Sequence, residues 1–222
     1  MSILESIGSE APTPGGGTVA ALTLAHAHSL AAMVSRLTIG KNKWQEGHEI
    51  SNIIINSSEE SLQRAIKLAE GDSLAFDKVI DSYRMPRSND EEIESRKLAI
   101  LESTIGAAKT PSEIADEGLK LLSVLPDLAR YGNLNAITDL AASSELAFTA
   151  VYIASLNVKI NVDSMSDEKL NKIQNNTTII LTKSQELIMS IREIVSRRMA
   201  TRLIFPKSLN VVSLQSFHQK KS

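Results

Sequence analysis

Apolar residues recur every three or four positions along most of the chain, which is the spacing of one face of an α-helix. Glycines and prolines fall between these periodic segments rather than between short strands of alternating polarity. This pattern predicts an all-α fold, and the economical architecture is a bundle of about five or six long helices. The predicted helices cover about 18–40, 46–83 with a bend near 71, 90–108, 110–131, 135–155 and 166–203.

Local signals set several of these boundaries. Asn89, followed three positions later by Glu92, indicates an N-cap and a capping box. Thr110 and Pro111 indicate another helix start, because proline suits the first helical position. The run at 157–162 interrupts the helical phase and predicts a break before the last helix.

The most apolar stretch, 18–34, is about as long as the shortest membrane-spanning helices at roughly 17 residues. It is rich in alanine, it contains His26, His28 and Ser29, and no second long apolar run accompanies it. We therefore expect a helix that is buried on all sides within a bundle and ends near Gly40. A membrane span is not expected.

Composition narrows the class of protein. The 222 residues are 42% hydrophobic, which predicts one helical domain over 1–205, followed by a disordered tail over 206–222. A net charge of -2 gives no general attraction to nucleic acid or to an anionic membrane. The absence of cysteine, together with an N-terminus unlike a secretory signal, favours a cytoplasmic location. Long helices with only 4% aromatic residues often share a core between subunits, so a homodimer is expected.

The strongest local irregularity is the turn Pro14-Gly15-Gly16-Gly17, which leads into a helix at Thr18. Three consecutive glycines are costly in conformational entropy, and they indicate positive φ angles or a close approach to the backbone. A helix N-terminus directly after the turn offers N–H groups and a positive dipole end to an anion. A tight loop packed against a neighbouring helix explains the pattern equally well.

Asp72 is a candidate general acid or base. It lies in helical phase with Ala65, Ala69, Phe76 and Val79, which places a carboxyl group on an apolar stripe. Burial raises the pKa of a carboxyl group towards the range useful for proton transfer, unless a nearby cation cancels the effect. The structural alternative is a helix cap at a bend, with the carboxylate bound to backbone N–H groups.

Other candidate ligands are polar or charged residues near helix ends. Arg36, Lys41 and Lys43 form the basic cluster nearest to the glycine turn, and a loop could present them to carboxylates or phosphate. Such clusters are more often solvated faces.

Two predicted helix breaks carry a second set of candidates. Arg130, Asn133 and Asp139 flank the break at Gly132, and Asn157 stands at the later one. Amides at breaks often satisfy free backbone groups, so binding and structural interpretations both remain open.

The histidines do not predict a metal site. His26 and His28 are two positions apart, so on a helix they point about 200° away from each other and cannot chelate one metal ion. His48 and His218 have no companion ligands, and no zinc, calcium or phosphate-loop pattern is present. We therefore expect neither a metal nor a cofactor.

Six short motifs, taken together, resemble in order and spacing the motifs of the formiminotransferase-cyclodeaminase family, which includes formimidoyltetrahydrofolate cyclodeaminases and methenyltetrahydrofolate cyclohydrolases. Each motif is weak alone, but six in register from about residue 10 to 200 are specific. Thr18 stands where serine is common in the family, and this change keeps the hydroxyl. The motifs are Pro14-Gly15-Gly16-Gly17-Thr18-Val19-Ala20-Ala21, Leu37-Thr38-Ile39-Gly40-Lys41, Asp72-Ser73-Leu74-Ala75-Phe76, Ala129-Arg130-Tyr131-Gly132-Asn133, Thr138-Asp139-Leu140 and Asn157-Val158-Lys159-Ile160-Asn161.

The resemblance implies an all-α bundle that dimerises and binds a tetrahydrofolate derivative as substrate. It implies that Asp72 is the proton donor or acceptor, with Asp139 as the second candidate catalytic residue. The candidate substrate-binding residues are Pro14, Gly15, Gly16, Gly17, Thr18, Arg36, Lys41, Lys43, Arg130, Asn133 and Asn157.

The family leaves the reaction open. A cyclodeaminase converts 5-formimidoyltetrahydrofolate to 5,10-methenyltetrahydrofolate and ammonia, whereas a cyclohydrolase adds water to the methenyl carbon. No residue of the sequence decides between the two, and the cyclodeaminase is the preferred interpretation. A non-enzymatic helical interaction module is the third alternative. Nothing in the chain resembles the transferase domain of animal members, so a separate glutamate formiminotransferase is an expected partner.

Overall fold

The computed structural model describes residues 2–204, with side chains described as far as residue 200. Within that range the chain forms six α-helices and no strand, so the predicted all-α fold is confirmed. The tail predicted over 206–222 lies outside the described residues. The helices are α1 (Ile3–Ile7), α2 (Gly16–Thr38), α3 (His48–Arg84), α4 (Asp90–Tyr131), α5 (Ile137–Val162) and α6 (Glu168–Ile204).

Helix α2 lies between α3 and α5, and α4 packs along α3, α5 and α6. The Ser143 hydroxyl on α5 donates to the Ala27 carbonyl of α2 at 2.7 Å, and Asn157, later on α5, lies beside Gly16 at the start of α2. The two helices are therefore antiparallel. The 23 residues of α2 span about 35 Å at 1.5 Å per residue, and this length separates the two ends of the helix.

The outward side of α2 differs from the prediction. We expected burial on all sides, but His26, Met33 and Leu37 are exposed along one stripe, because no described helix covers that side. Of the described helices, α2 alone is long and apolar enough to cross a membrane. Within the bundle, 61% of its apolar 18-residue segment is buried. Helix α2 is therefore a core helix that also presents one side of mixed apolar and polar residues outwards.

The predicted helix start at Thr110 is wrong, because α4 continues through Pro111. Proline in a helix removes one backbone hydrogen bond and strains the preceding turn. Here Ala108, Pro111 and Ile114 are all buried in the bundle, and this packing outweighs the local cost.

The break predicted over 157–162 is also wrong, because α5 runs on to Val162. Asn157 and Asn161 each donate from the side-chain amide to the carbonyl four residues earlier, at 2.9 Å in both cases. Asn161 also donates to the Ala107 carbonyl of α4 at 3.1 Å. Both amides are therefore compatible with a continuous helix, and the Asn161 amide also attaches the end of α5 to α4.

Two predicted helix boundaries are confirmed. Gly40 follows the end of α2 and has a φ of 73°, a left-handed conformation that favours glycine. The Asn89 side chain accepts a hydrogen bond from the Glu92 backbone N–H at 2.9 Å and caps α4.

Candidate functional site

The first turn of α2 lies beside the carboxyl group of Asp72 on α3. Thr18 Oγ1 is 3.3 Å from Asp72 Oδ2, although the two residues are 54 positions apart in the chain. A Cβ added to Gly17 would lie 2.5 Å from Asp72 Cγ. Only glycine leaves room for the carboxyl group at this position, which accounts for one of the three glycines of the turn.

Helix α2 has no side-chain cap of its own. Its N-cap residue is Gly15, in an extended conformation, and the first N–H groups of a helix have no carbonyl partner within it. Asp72 receives a hydrogen bond from the Thr18 backbone as well as from its side chain. Asp72 therefore supplies from α3 the acceptor that an N-cap side chain usually supplies. The sequence suggested a cap at a bend of its own segment, whereas the helix that Asp72 caps is α2.

The surroundings of Asp72 act on its pKa in opposite directions. Burial is the largest effect and raises the pKa above the ordinary value of an aspartate, because a half-buried carboxylate is poorly solvated. Hydrogen bonds from the Thr18 hydroxyl and backbone N–H stabilise the ionised form and lower the pKa. Burial prevails, so this carboxyl group holds a proton more readily than an exposed one and still has donors ready for its ionised form.

Asn157 belongs to the same end of the bundle. A Cβ added to Gly16 would lie 3.9 Å from Asn157 Nδ2, which is ordinary contact distance. Pro14 and Gly15 lead the chain into this end of α2. The structure thus brings six of the predicted site residues together with Asp72, and we call this group the Asp72 end: Pro14, Gly15, Gly16, Gly17, Thr18, Asp72 and Asn157.

The remaining predicted residues lie at the opposite end of α2, which we call the Asn133 end. The Asn133 backbone N–H donates to Thr38 Oγ1 at 3.0 Å, and its side-chain amide donates to the Leu37 carbonyl at 2.8 Å. The Asn133 side chain also accepts a hydrogen bond from the Asn135 N–H at 3.0 Å. These bonds join the end of α4 to the end of α2, so the chain itself uses both groups of the Asn133 amide.

A cavity of about 510 Å³ opens at the Asn133 end. Lys43 and Arg130 line it together with Trp44, Tyr131 and Arg198. The Lys43 ammonium lies 4.6 Å from the centroid of the Trp44 ring, and the Arg198 guanidinium lies 5.7 Å from it. Glu46 also lines the cavity, and Arg130 pairs with Asp127 at 3.0 Å. Cations still outnumber acids in the lining by three to one, and this excess suits an anionic ligand.

Sequence reasoning missed Arg198 and Trp44 as members of this cavity. Arg198 donates to the Ala129 and Gly132 carbonyls at 2.6 and 2.9 Å, and burial lowers its pKa from the ordinary value. The lone tryptophan between Lys43 and Glu46 was the available signal.

The other cationic and acidic candidates also belong to the Asn133 end. Arg36 donates to the Ser58 hydroxyl at 3.3 Å, and Lys41 is exposed beyond the end of α2. Asp139 is half-buried on the first turn of α5. Asn157 follows 18 positions later on the same helix, or about 27 Å further along its axis. One chain therefore keeps Asp139 far from Asp72.

The two histidines of α2 point in different directions, as their spacing predicts. His28 is buried, and burial lowers its pKa to about 4 against an opposing effect of the Glu117 carboxylate. Its imidazole is therefore neutral at pH 7. His26 is exposed, and its Nδ1 lies 2.7 Å from the Leu22 carbonyl oxygen.

Fold and site define an all-helical protein in which a half-buried carboxyl group covers a glycine-rich helix start. Residues 1–178 match the family described as Formiminotransferase-cyclodeaminase, and the chain belongs to that family. A methenyltetrahydrofolate cyclohydrolase of Methylorubrum extorquens is 32% identical over 166 residues, which cover 75% of this chain and 80% of that protein.

Two further relatives are named as cyclodeaminases. The formimidoyltransferase-cyclodeaminase of Gallus gallus is 29% identical over 168 residues, which cover 76% of this chain. The chain spans only 31% of the length of that relative. The crystal structure of formiminotetrahydrofolate cyclodeaminase from Thermotoga maritima superposes with a TM-score of 0.74 at 25% identity, covering 92% of this chain and 98% of that one. The chain is thus an enzyme-family member whose relatives act on folate derivatives.

Proposed function

We propose that the chain is a formimidoyltetrahydrofolate cyclodeaminase, which converts 5-formimidoyltetrahydrofolate to 5,10-methenyltetrahydrofolate and ammonia. The observation that carries the proposal is the Asp72 carboxyl group, which is half-buried, has a raised pKa and lies beside the glycine turn. The similarity to the Thermotoga maritima cyclodeaminase over nearly its whole length supports this choice of reaction.

The proposed chemistry requires one proton to move between two nitrogens of the substrate. N10 attacks the formimidoyl carbon held on N5, and a new C–N bond forms as the carbon becomes tetrahedral. The attacking N10 must then lose its proton, and the departing nitrogen must gain one before ammonia can leave. A carboxyl group whose pKa is raised by burial accepts the first proton and returns it to the second site.

The second candidate is a methenyltetrahydrofolate cyclohydrolase, which the similarity to the Methylorubrum extorquens protein favours. In that reaction water adds to the methenyl carbon, and Asp72 takes a proton from the water. The same carboxyl group then returns the proton to N5. The C–N5 bond breaks, the hydroxyl proton of the adduct is released to solvent, and the product is 10-formyltetrahydrofolate. Both reactions use one cyclic one-carbon centre and one proton shuttle.

An assay with two substrates separates the candidates. The purified protein is mixed separately with 5-formimidoyltetrahydrofolate and with 5,10-methenyltetrahydrofolate, and the methenyl absorbance band and ammonia are followed against the spontaneous reactions. A rise of the band with ammonia from the first substrate supports the cyclodeaminase. Faster loss of the band from the second substrate, without ammonia from the first, supports the cyclohydrolase. Silence with both substrates refutes both and favours the non-enzymatic module.

We also propose a homodimer in which each site draws on both copies. Met33 and Leu37 on α2, and Tyr152, Leu156 and Ile160 on α5, expose 37–71% of their surface, and a second copy would cover them. A two-fold axis near the middle of α2 would place the Asp72 end of one copy beside the Asn133 end of its partner. This arrangement would unite the two groups of predicted site residues that lie apart in one chain.

Mixing two inactive variants tests the shared site. Asp72→Asn and Asp139→Asn chains are unfolded together and refolded, so that mixed dimers carry one intact site. Activity recovering to about a quarter of the wild-type level supports the shared site, because half of the dimers are mixed and each has one of its two sites intact. No recovery, in dimers that purification through a different affinity tag on each variant shows to be mixed, contradicts it. In that case each site lies within a single chain.

The substrate of the proposed cyclodeaminase reaction, 5-formimidoyltetrahydrofolate, is the product of a formimidoyl transfer to tetrahydrofolate. We propose that a separate glutamate formiminotransferase supplies it. A coupled assay with such an enzyme, formimidoylglutamate as the formimidoyl donor and tetrahydrofolate as the acceptor would test this supply. Formation of methenyltetrahydrofolate only when both proteins are present is the expected result.

A further inference from the structure

Thr18 has more hydrogen-bond acceptors within reach than one hydroxyl can serve. Its Oγ1 lies 3.1 Å from Ser73 Oγ, 3.3 Å from Asp72 Oδ2 and 3.4 Å from the Ala69 carbonyl oxygen. A hydroxyl carries one proton and two lone pairs, so it donates to one of these oxygens only. The direction of the Thr18 proton therefore decides which partner it stabilises.

Ser73 settles part of this choice. Thr18 Oγ1 is the sole hydrogen-bond partner of the Ser73 hydroxyl among the described residues. When Ser73 donates to Thr18, the Thr18 proton is left for the Asp72 carboxylate or the Ala69 carbonyl. An ionised carboxylate is the stronger acceptor, and hydrogen bonds in a chain polarise one another. The favoured order of donation is then Ser73 to Thr18 to Asp72.

We propose that Ser73 is a positioning residue for the proton shuttle, and that it acts through Thr18 by directing the Thr18 proton towards the Asp72 carboxylate. The proposal rests on the proposed function of Asp72 and adds to it a residue that does not touch the substrate. Burial raises the pKa of the Asp72 carboxyl group, and the hydrogen bond from the Thr18 hydroxyl opposes that rise.

The Ala69 carbonyl gives Thr18 a second arrangement. Once Asp72 has accepted a proton, Thr18 no longer needs to donate to it. Thr18 then turns its proton to the Ala69 oxygen and accepts the new proton of Asp72 with a lone pair. Ser73 keeps its own donation to Thr18 in both arrangements, so the pair follows the carboxyl group through both protonation states.

No charged side chain among the described residues pairs with Asp72, so the Thr18 hydroxyl, with Ser73 behind it, is its side-chain partner. Helix α2 carries no titratable side chain before His26, and Asp72 forms no ion pair among the described residues. The titratable groups on neighbouring turns and facing stretches are Glu10 before α2, Lys67, Glu70, Asp77 and Lys78 on α3, Lys109 and Glu113 on α4, and Lys159 and Asp163 on α5. Lys109 pairs with Glu113, and Lys159 pairs with Asp163.

Titration of the full-length protein by carbon-13 NMR tests the proposal without depending on turnover. The Asp72 carboxyl resonance is assigned by its loss in Asp72→Asn. Ser73→Ala should raise the Asp72 pKa, because the ionised carboxylate loses part of its hydrogen-bond support. The acidic limb of kcat/KM should move to higher pH, with a loss of roughly threefold to tenfold on that limb.

The matched control is Ser82→Ala, on the same helix. Ser82 also pairs with another serine, Ser103, at 3.0 Å, but it lies ten positions beyond Asp72. This variant should leave both the Asp72 titration and the pH profile unchanged. An unchanged Asp72 titration in Ser73→Ala, or an equal shift in Ser82→Ala, would overturn the proposal.

A double-mutant cycle separates the route through Thr18 from a direct effect of Ser73. In a Thr18→Val background, Ser73→Ala should have no further effect on the Asp72 titration, whereas in a Thr18→Ser background it should keep its effect. The same shift in the valine background would overturn the route through Thr18. A wild-type protein inactive with both folates would defeat the proposed function, and the NMR titration would still decide the hydroxyl chain.

Discussion

Each end of α2 carries a threonine that bonds to a polar residue of another segment, but the hydrogen bonding at the two ends differs. At the Asn133 end, Thr38 and Asn133 bond to backbone groups, and their polar atoms have partners within the chain. At the Asp72 end, the Thr18 hydroxyl has one proton and three oxygens within 3.4 Å, and burial raises the pKa of the Asp72 carboxyl group. Polar groups whose hydrogen bonds are all made stabilise a fold. A buried carboxyl group with few hydrogen-bond donors for its ionised form has a raised pKa and can exchange a proton.

The largest expected effect comes from Asp72→Asn. Turnover should fall by roughly a hundredfold or more, because an amide cannot shuttle the proton. The raised pKa means that the native state binds this proton more tightly than the unfolded chain, so the carboxyl group costs stability as the pH rises through its folded pKa. Asp72→Asn should therefore be as stable as the wild type, or more stable, at pH 7.

Steady-state kinetics and urea unfolding of Asp72→Asn measure the two effects. Asp77→Asn is the control, since Asp77 is an exposed aspartate one and a half turns further along α3. Near-normal turnover of Asp72→Asn would remove Asp72 from the reaction. A large loss of stability at neutral pH would make its capping of α2 the main role.

The next effect concerns the space above Gly17. A methyl group there would overlap the Asp72 carboxyl group, so Gly17→Ala should displace Asp72 and lower turnover by about 10- to 100-fold. Gly16→Ala is the matched control, because its methyl group would meet Asn157 at an ordinary 3.9 Å. Kinetics and thermal unfolding of both variants test the comparison. Equal activities would show that the position of the carboxyl group is not critical.

Sequence patterns predicted the parts of the fold that depend on local signals. Asn89 caps α4 and Gly40 follows the end of α2, because the chemistry of each lies within a few residues. Pro111 misled the prediction because its local signal is opposed by packing with distant helices. Asn157 misled it because its amide bonds to the Ile153 carbonyl within α5 and does not end the helix. Burial of Pro111 in the core requires knowledge of which helices meet there.

At the site too, features set by neighbouring residues were predictable from the sequence, and contacts between distant segments were not. The phase of Asp72 on an apolar stripe was readable, but its contact with Gly17 and Thr18 joins residues more than 50 positions apart. The separation of Asp139 from Asp72 follows from the antiparallel packing of α2 and α5, which no local pattern encodes. Arg198 was missed for the same reason, since its partners are carbonyl groups at the far end of α4.

A smaller effect tests the Asn133 end as scaffold. Thr38→Val removes the hydroxyl that accepts from the buried Asn133 N–H, and a buried donor without a partner costs about 1–3 kcal/mol. Urea unfolding should show this loss, and Thr38→Ser should restore stability because it keeps the hydroxyl. Turnover of the folded Thr38→Val protein should be unchanged, because the Asn133 side chain keeps its bonds to the Leu37 carbonyl and the Asn135 N–H. A parallel fall in turnover would show that the backbone bond to Thr38 is also needed to hold the Asn133 end in the form that the shared site requires.

The smallest effect concerns the exposed lysine beyond α2. Because the cationic residues gather at the Asn133 end, Lys41→Ala should raise KM by a few-fold for polyglutamylated folate and less for monoglutamylated folate, since a longer tail carries more carboxylates. The difference should shrink with added salt, which screens exposed charges. Lys67→Ala, at an exposed lysine of α3, controls for the loss of one positive charge. An equal change in KM for both folates would show that Lys41 does not bind the polyglutamate tail. Lys41 would then give no evidence that the Asn133 end contacts the substrate.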